Sequence, residues 1–196
     1  MRKLALGLPA SEEGVGAAFN YNQYHPLLLG LILERTTGRT VSAYLSEKIW
    51  QPLGTEFPAT WSLDSTKHRF EKMESGLNGR AIDFAKFGSL FLHQGTWNGQ
   101  QPISKKWVTE STAPDPTDTR RWLSHQDWKN AGGYYKYQWW GIPREGGSWA
   151  YAAHGHLGQL IAVFPEERVV VVRFGKTDGP VDSWDEVAMA IAERLK

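Results

Sequence analysis

Apolar residues recur with two different periods along the chain, and the helical period comes first. Three stretches carry apolar residues at helical spacing, namely residues 26–37, about 41–50 and about 81–94. Pro26 at the start and Gly38 after the last turn are typical boundaries for the first helix. Because this first stretch is apolar all round, the pattern predicts a buried helix.

The segments around these helices are less regular. Residues 1–20 are rich in glycine and alanine and are weakly patterned, which predicts a loop. Ser104 is a typical N-cap for a short helix that carries Trp107 and Val108. Residues 112–133, with two prolines and several polar clusters, predict a long surface loop.

Beyond residue 134 the apolar period changes to two. Tyr135, Tyr137 and Trp139 alternate with polar residues, and three further apolar runs follow at 149–153, 160–164 and 169–172. Short connections between such runs predict three or four strands in an antiparallel meander. A capping box that begins at Ser183 then opens a final amphipathic helix.

Helices, then a small antiparallel sheet, then one more helix make an α+β order. We divide the chain into a loop-like N-terminal stub at 1–20, a mainly helical region at 21–133, and a region of strands plus C-terminal helix at 134–196. The last two regions are expected to form one domain, since 196 residues suffice for a single core.

Charge and composition exclude several classes of protein. The formal net charge is +1, which provides neither a basic stripe for nucleic acid nor a polybasic patch for a membrane surface. Cysteine is absent, which excludes disulfides, cysteine-based zinc sites and a thiol nucleophile. No stretch approaches the roughly 20 apolar residues of a membrane span.

The N-terminus resembles a signal peptide only superficially, because its apolar stretch ends at Pro9. An exported leader needs a central apolar region of about 7–15 residues. The chain as written is therefore expected to be unexported and cytoplasmic, while the sequence leaves the compartment of a longer parent protein open.

Five short motifs, in the same order, resemble those of β-lactamase-related serine hydrolases. The triplet Tyr21-Asn22-Gln23 precedes an apolar helix that ends in Glu34-x-x-Thr37-Gly38. The further matches are 49–54, 75–88, 99–107 and 155–166. The superfamily includes class C β-lactamases, penicillin-binding proteins and related esterases and amide hydrolases. The resemblance covers residue 19 to the C-terminus, and it implies an incomplete β-lactamase/transpeptidase-like fold.

The resemblance implies acyl transfer through a serine ester, without a cofactor. Such enzymes combine Ser-x-x-Lys, a second polar triplet and a Lys-Thr-Gly strand. A phenolic oxygen near a lysine ammonium can act as the base, because the positive neighbour favours phenolate. Tyr21 is therefore the candidate catalytic residue, in the proton relay. The alternative is that Tyr21 is a structural residue, half-buried, whose hydroxyl already forms a hydrogen bond within the fold.

Substrate contacts are expected on both sides of Tyr21. Gln23 stands where the family has asparagine, so its amide is displaced by one methylene. At the place of Lys-Thr-Gly the sequence has His154-Gly155-His156, a form closer to the esterase-like branch. Two histidines two apart on a strand would share a face, and one of them could bind a substrate carbonyl or carboxylate. A metal pair is the rival interpretation, but no third ligand is identifiable, so we expect no metal.

The nucleophile motif does not occur in the 196 residues, since none of the twelve serines has lysine three residues later. The near match Gly146-Gly147-Ser148 lies between strands, where a nucleophile elbow does not form. The chain is therefore expected to be the C-terminal part of a serine hydrolase, inactive alone, either a truncated product or one half of a two-chain site. An exposed sheet edge would then permit self-association.

The expected partner is a small acyl compound, namely an ester, amide or lactam, and not a nucleic acid. An alternative from another class is a noncatalytic module that binds a ligand in an aromatic-lined groove. The aromatic residues in question are Tyr135, Tyr137, Trp139, Trp140 and Trp149. In the hydrolase interpretation the same side chains, Trp139 among them, line the wall of the acyl pocket.

Overall fold

The computed structural model describes residues 2–9 and 12–196, and its elements follow the α+β order that the sequence predicts. The helices are α1 Arg2–Leu6, α2 Tyr24–Thr37, α3 Val41–Leu45, α4 Ala81–Leu92, α5 Lys105–Thr112, α6 Gln126–Asn130 and α7 Trp184–Arg194. The strands are β1 Ala18–Phe19, β2 Thr60–Trp61, β3 Leu77–Asn78, β4 Arg121–Trp122, β5 Tyr134–Lys136, β6 Trp139–Pro143, β7 Trp149–Gly155, β8 Gln159–Phe164 and β9 Val169–Arg173.

The period-two segment folds into one antiparallel sheet with the strand order β5-β6-β7-β8-β9. This confirms the meander, but with five strands instead of three or four. The additional strand arises because Tyr137 and Gln138 have positive φ angles of 47° and 72°. Positive φ at both central residues is the signature of a two-residue type I′ hairpin. The alternation from Tyr135 to Trp139 therefore belongs to two strands and the turn between them.

Both faces of the sheet are covered by helices. On one face, α7 places Ala188 and Ala192 against the small residues Ala152 and Ala162. On the other face, α4 and α5 contribute Phe91 and Val108 to a second cluster, which also contains Trp139, Tyr151 and Val163. Gly88 of α4 permits the close approach, because a Cβ there would lie 2.6 Å from Val170 Cγ1.

The N-terminal third departs from the prediction in two respects. Residues 2–6 form α1 instead of a loop, because Ala5 is buried in a cluster with Leu27, Leu31 and Phe70. The prediction that α2 is buried all round is wrong. Its contacts with α1 and Phe70 cover one stripe only, and Leu29 on another side is 54% exposed.

Most helix boundaries agree with the local signals, although α2 begins at Tyr24, two residues before Pro26. Ser104 Oγ accepts a hydrogen bond from Trp107 N, and Ser183 Oγ accepts one from Glu186 N. Gly38 ends α2 in the left-handed conformation, with φ 67°. The second helix covers the predicted range as α3 followed by a π-helical turn, Ser46–Trp50.

The segment 112–133 is more ordered than a surface loop. It contains β4, which pairs in parallel with β1, and the short helix α6. Trp122 is buried against Phe19 and Trp140, so the aromatic side chain anchors this segment to the sheet. Among the helices in the described part of the chain, none is long and apolar enough to span a membrane.

Candidate active site

Two cavities meet at the end of β7, and together they form what we call the cleft. The larger, of about 640 Å³, lies between residues 73–79 and the β7–β8 turn. The smaller, of about 310 Å³, is bordered by Tyr21, Gln23, Gln138 and Trp140. The residues common to both cavities are Met73, Glu74, Ala153 and His154.

Tyr21 borders the smaller cavity from the short connection between β1 and α2. Its backbone N–H donates to Ser124 Oγ over 2.9 Å. Its ring lies 5.3 Å from that of Trp140 and 5.5 Å from that of Tyr135. The side chain is 41% exposed, and within the described chain its hydroxyl forms no hydrogen bond. The ring is thus fixed by aromatic contacts while the phenolic oxygen stays available.

The next two residues of the triplet have different surroundings. Asn22 Oδ1 accepts a hydrogen bond from Tyr24 N over 2.9 Å, so this side chain caps the first turn of α2. Gln23 makes no such cap and is exposed at the border of the smaller cavity. The position predicted to contact substrate is therefore open to the cleft.

His154 is the side chain that links the two cavities. Its Nε2 donates to Asp185 Oδ1 in the first turn of α7 over 2.9 Å. Its ring stacks on Trp140 at a centroid distance of 5.7 Å, and the edge of Trp128 lies 5.5 Å away. A carboxylate at Nε2 fixes the ring orientation and the tautomer, which leaves Nδ1 as the second polar atom of the ring.

Gly155 and His156 both border the larger cavity, as His154 does, but the strand on which the two histidines were expected to share a face ends before His156. β7 ends at Gly155, and His156 lies in the turn that follows, so strand alternation does not apply to it. Arg173 Nη1 holds this turn by donating to Leu157 O and Gly158 O over 3.0 and 2.7 Å.

Trp139 is not brought to the cleft. It is 5% exposed and packs against Phe91 and Tyr151, on the face of the sheet that α4 covers. The adjacent residue, Trp140, borders the smaller cavity instead. Trp139 was expected to line the acyl pocket, but the structure buries it away from the cleft and places Trp140 at the cleft instead.

The five aromatic residues that were considered as the lining of one groove lie in different parts of the structure. Tyr135 and Trp140 are in contact with Tyr21. Tyr137 packs on Trp107, and Trp149 packs on Tyr134. Burial raises the pKa of Tyr135, which therefore stays protonated at neutral pH and donates to Gln138 Oε1 over 2.7 Å.

Two acidic residues of this region were not singled out from the sequence. Asp185 was visible only as part of a capping box, and Glu74 lay in a segment without a pattern. Neither forms a metal site, because the described residues contain no group of three or more histidine, cysteine, aspartate or glutamate side chains able to hold a metal ion.

The family model described as Beta-lactamase matches residues 2–196. The chain therefore belongs to the Beta-lactamase family.

Relatives give a more specific likeness. The 6-aminohexanoate-dimer hydrolase of Paenarthrobacter ureafaciens is 27% identical over 170 residues, which are 86% of this chain and 42% of that protein. A Bacillus anthracis structure assigned as a 6-aminohexanoate-dimer hydrolase superposes with a TM-score of 0.79 at 28% identity, over 92% of this chain and 45% of its own. The chain thus spans less than half the length of these two relatives.

A more distant structure shares the fold. A protein of Bacteroides dorei assigned as a β-lactamase superposes with a TM-score of 0.69 at 16% identity, over 91% of this chain and 58% of its own. The chain is accordingly similar to hydrolases, and its fold is β-lactamase-like.

Proposed function

We propose that this chain provides the tyrosine and the sheet end of an acyl-transfer site, in a serine hydrolase that cleaves an amide or ester bond. The observation that carries the proposal is the position of Tyr21 and His154. Both border the same cavity, and the ring of Trp140 contacts both, at 5.3 and 5.7 Å. The phenol of Tyr21, a possible proton acceptor, and the imidazole of His154 therefore pack against the same indole ring.

The two side chains have complementary tasks in this proposal. The phenolic oxygen of Tyr21 exchanges a proton with the attacking hydroxyl and then with the leaving group, as a general base and acid. His154, oriented by Asp185 through Nε2, offers Nδ1 to the substrate: the neutral ring accepts there from a substrate N–H, and the ring protonated on both nitrogens donates to a carbonyl or carboxylate oxygen. Gln23, at the rim of the smaller cavity, contacts the acyl or the leaving group.

The serine nucleophile and its lysine are not among these 196 residues, since no Ser-x-x-Lys occurs in the sequence. A proton relay without a nucleophile does not form an acyl-enzyme. We therefore propose that the 196-residue chain alone has no turnover, and that Tyr21 works only when a Ser-x-x-Lys segment is present.

Among acyl compounds, a linear amide has the most support. Two of the relatives are named as hydrolases of the 6-aminohexanoate dimer, whose scissile bond is an amide between aliphatic chains. The larger cavity offers apolar walls for such chains, from Trp61, Phe84, Ile161 and Phe174.

The proposal is tested by comparing the chain with a chimera. In the chimera, the residues that precede the matched region in the Paenarthrobacter hydrolase are joined to this chain. Nitrocefin, p-nitrophenyl butyrate and the 6-aminohexanoate dimer serve as substrates. We expect no turnover by the chain alone and measurable amide hydrolysis by the chimera. Tyr21→Phe should lower the hydrolysis rate of the chimera by about 100-fold or more, because general acid–base catalysis contributes a factor of this size.

Two results would contradict the proposal. One is turnover by the 196-residue chain that Tyr21→Phe abolishes, because it would reveal another nucleophile. The other is a chimera that unfolds cooperatively, and is therefore folded, but whose hydrolysis does not depend on Tyr21.

A further inference from the structure

Glu74 is a buried carboxylate on the rim that the two cavities share. Its side chain is 7% exposed, and its Oε1 forms an ion pair with Lys72 Nζ over 3.7 Å, a separation too long for a hydrogen bond. Its Oε2 is buried without a hydrogen-bond partner in the described chain. An ionised carboxylate offers about four acceptor sites, so most of the acceptor capacity of Glu74 is unused.

The other carboxylates that are similarly buried in the described chain are engaged, and one of them, Glu167, accepts a hydrogen bond from Arg144 Nη2 over 2.8 Å. Glu71 accepts hydrogen bonds from the backbone of Val41 and Ser42, at the start of α3. Asp83 accepts from Glu56 N over 2.7 Å and from Phe57 N over 3.2 Å. These two side chains hold loops to helices, whereas Glu74 forms no hydrogen bond in the described chain and has only the ion pair with Lys72, whose side chain is 33% exposed.

The turn that carries Glu74 is itself well fixed. The carbonyl oxygen of Lys72 accepts hydrogen bonds from Trp61 Nε1 over 2.9 Å and from Gly76 N over 2.7 Å. Gly76 packs so closely on the Trp61 ring that a Cβ there would lie 2.5 Å from it. The carboxylate is therefore held at the cleft by a rigid turn.

The unused acceptors define the chemistry that fits beside Glu74. A partly desolvated carboxylate favours a cation that brings several N–H donors, and a primary ammonium is the smallest such group. The larger cavity, which Glu74 borders, is also lined by Phe84 and Phe174, whose apolar surface suits an alkyl chain. We propose that Glu74 binds the ammonium group of an aliphatic amine that occupies the cleft. This inference rests on the proposed function, and it narrows the substrate class to amides that carry a free amine.

The test uses two probes that differ only at one end. N-acetyl-1,6-diaminohexane carries an amide and an ammonium, and N-hexylacetamide carries the same amide with a neutral methyl end. Binding to the 196-residue chain is measured by calorimetry at pH 7. We expect the amine probe to bind at least tenfold more tightly than the neutral probe. Glu74→Gln should remove this preference, because the carboxamide keeps the shape without the charge.

Glu166→Gln is the matched control, because it changes the net charge equally from the exposed β8–β9 turn, at the far end of the sheet. This variant should keep the preference for the amine. Circular dichroism establishes whether each variant is folded. If Glu74→Gln does not fold, binding is followed instead by NMR of the unchanged chain. The side-chain carboxyl ¹³C resonance of Glu74 should then shift on addition of the amine probe and not on addition of the neutral probe.

Equal binding of both probes, undiminished amine binding by folded Glu74→Gln, or no binding of either probe would each overturn the ammonium site. Calorimetry requires no bond cleavage, so these outcomes are separate from the hydrolysis assay. If the chimera is active but the 196-residue chain shows no preference for the amine probe, the ammonium site is refuted and the proposed function is not. If the chimera is folded but inactive and the 196-residue chain prefers the amine probe, the proposed function is refuted and the ammonium site is not.

Discussion

His154 Nε2 lies 2.9 Å from Asp185 Oδ1, and this hydrogen bond joins the end of β7 to the start of α7. The two residues meet because α7 packs along the sheet through Ala188 and Ala192, which places its first turn beside the last residues of the strand. Ser183 Oγ caps the same turn. The orientation of a cleft side chain thus depends on the docking of the C-terminal helix.

The first prediction concerns the tautomer of His154. With Asp185 as acceptor, neutral His154 should carry its proton on Nε2. Asp185→Ala should give a mixture of tautomers, because the neutral ring then has no fixed acceptor. Long-range ¹H–¹⁵N correlation spectra distinguish the two forms. The control is Asp182→Ala, which removes an exposed carboxylate close to the same helix end and should leave the tautomer unchanged. A single Nε2–H tautomer in Asp185→Ala would refute the assignment.

The second prediction separates Trp139 from Trp140. Both are buried, so replacement of either by phenylalanine should lower the free energy of unfolding by about 1–3 kcal/mol. Trp140→Phe alone should move the ring proton resonances of Tyr21 and His154, because its indole faces both rings. Trp139→Phe should instead move those of Tyr151, 5.2 Å from its indole. An equal effect of both variants on His154 would contradict the division of the two indoles between the faces.

Local signals predicted the helices well, because their causes are local. A serine that accepts a hydrogen bond three residues on, as at Ser104 and Ser183, acts within one turn. Gly38 adopts its left-handed conformation for reasons confined to its own backbone. The same locality explains why α1 was missed, since Ala5 is held by contacts with Leu27 and Phe70, far along the chain.

The error at Trp139 has a geometric cause. A turn inserted into an alternating run changes which residues share a face. Because β5 and β6 form a hairpin, Tyr135 lies opposite Trp140, and directly opposed residues of an antiparallel pair share a face. The turn residues Tyr137 and Gln138 lack the glycine or asparagine that usually marks a type I′ turn, so this turn could not be predicted from its residue types.

The cleft could be predicted only in part. Tyr21, Gln23 and His154 followed from the motifs, and the structure brings all three to the smaller cavity. Asp185 is 31 residues from its partner along the chain, so only tertiary packing reveals the pair. The unused oxygen of Glu74 is likewise a property of the packed structure and has no sequence pattern.

The third prediction concerns acid stability. Arg120 donates through Nε and Nη2 to Asp118 over 2.7 and 2.6 Å, and these hydrogen bonds hold the pKa of the Asp118 carboxyl below its ordinary value. A carboxyl with a lowered folded-state pKa stabilises the fold above its unfolded pKa of about 3.9, and the contribution disappears as the pH falls through the folded value.

Asp118→Asn should therefore lower the free energy of unfolding by about 1 kcal/mol at pH 7, since hydrogen bonds to charged groups contribute about 1.5–3 kcal/mol and partial exposure reduces this. The difference from the unchanged chain should shrink below about pH 4, because the Asp118 carboxyl binds its proton first in the unfolded state and, at lower pH, in the folded state as well. Urea unfolding at pH 7, 5 and 3 measures it. Asp127→Asn, on the exposed side of α6, should show no such trend. If the difference in unfolding free energy between the two chains grew towards pH 3, the pKa of Asp118 would not be lowered in the folded state.

The fourth prediction concerns Gly88, where α4 approaches β9. Alanine is favoured over glycine inside a helix by about 1 kcal/mol, but here its Cβ would lie 2.6 Å from Val170 Cγ1 and 3.0 Å from Ile161 Cγ2. Overpacking of a core costs about 1–3 kcal/mol, and a β-branched methyl has little freedom to move aside. Gly88→Ala should therefore lower the free energy of unfolding by about 1–2 kcal/mol. In a Val170→Ala background the closer methyl is gone and the 3.0 Å contact with Ile161 remains, so the same substitution should be clearly less destabilising. Urea unfolding of both single variants and the double variant measures the coupling, and an equal cost of Gly88→Ala in the two backgrounds would show that this contact does not set the distance between helix and sheet.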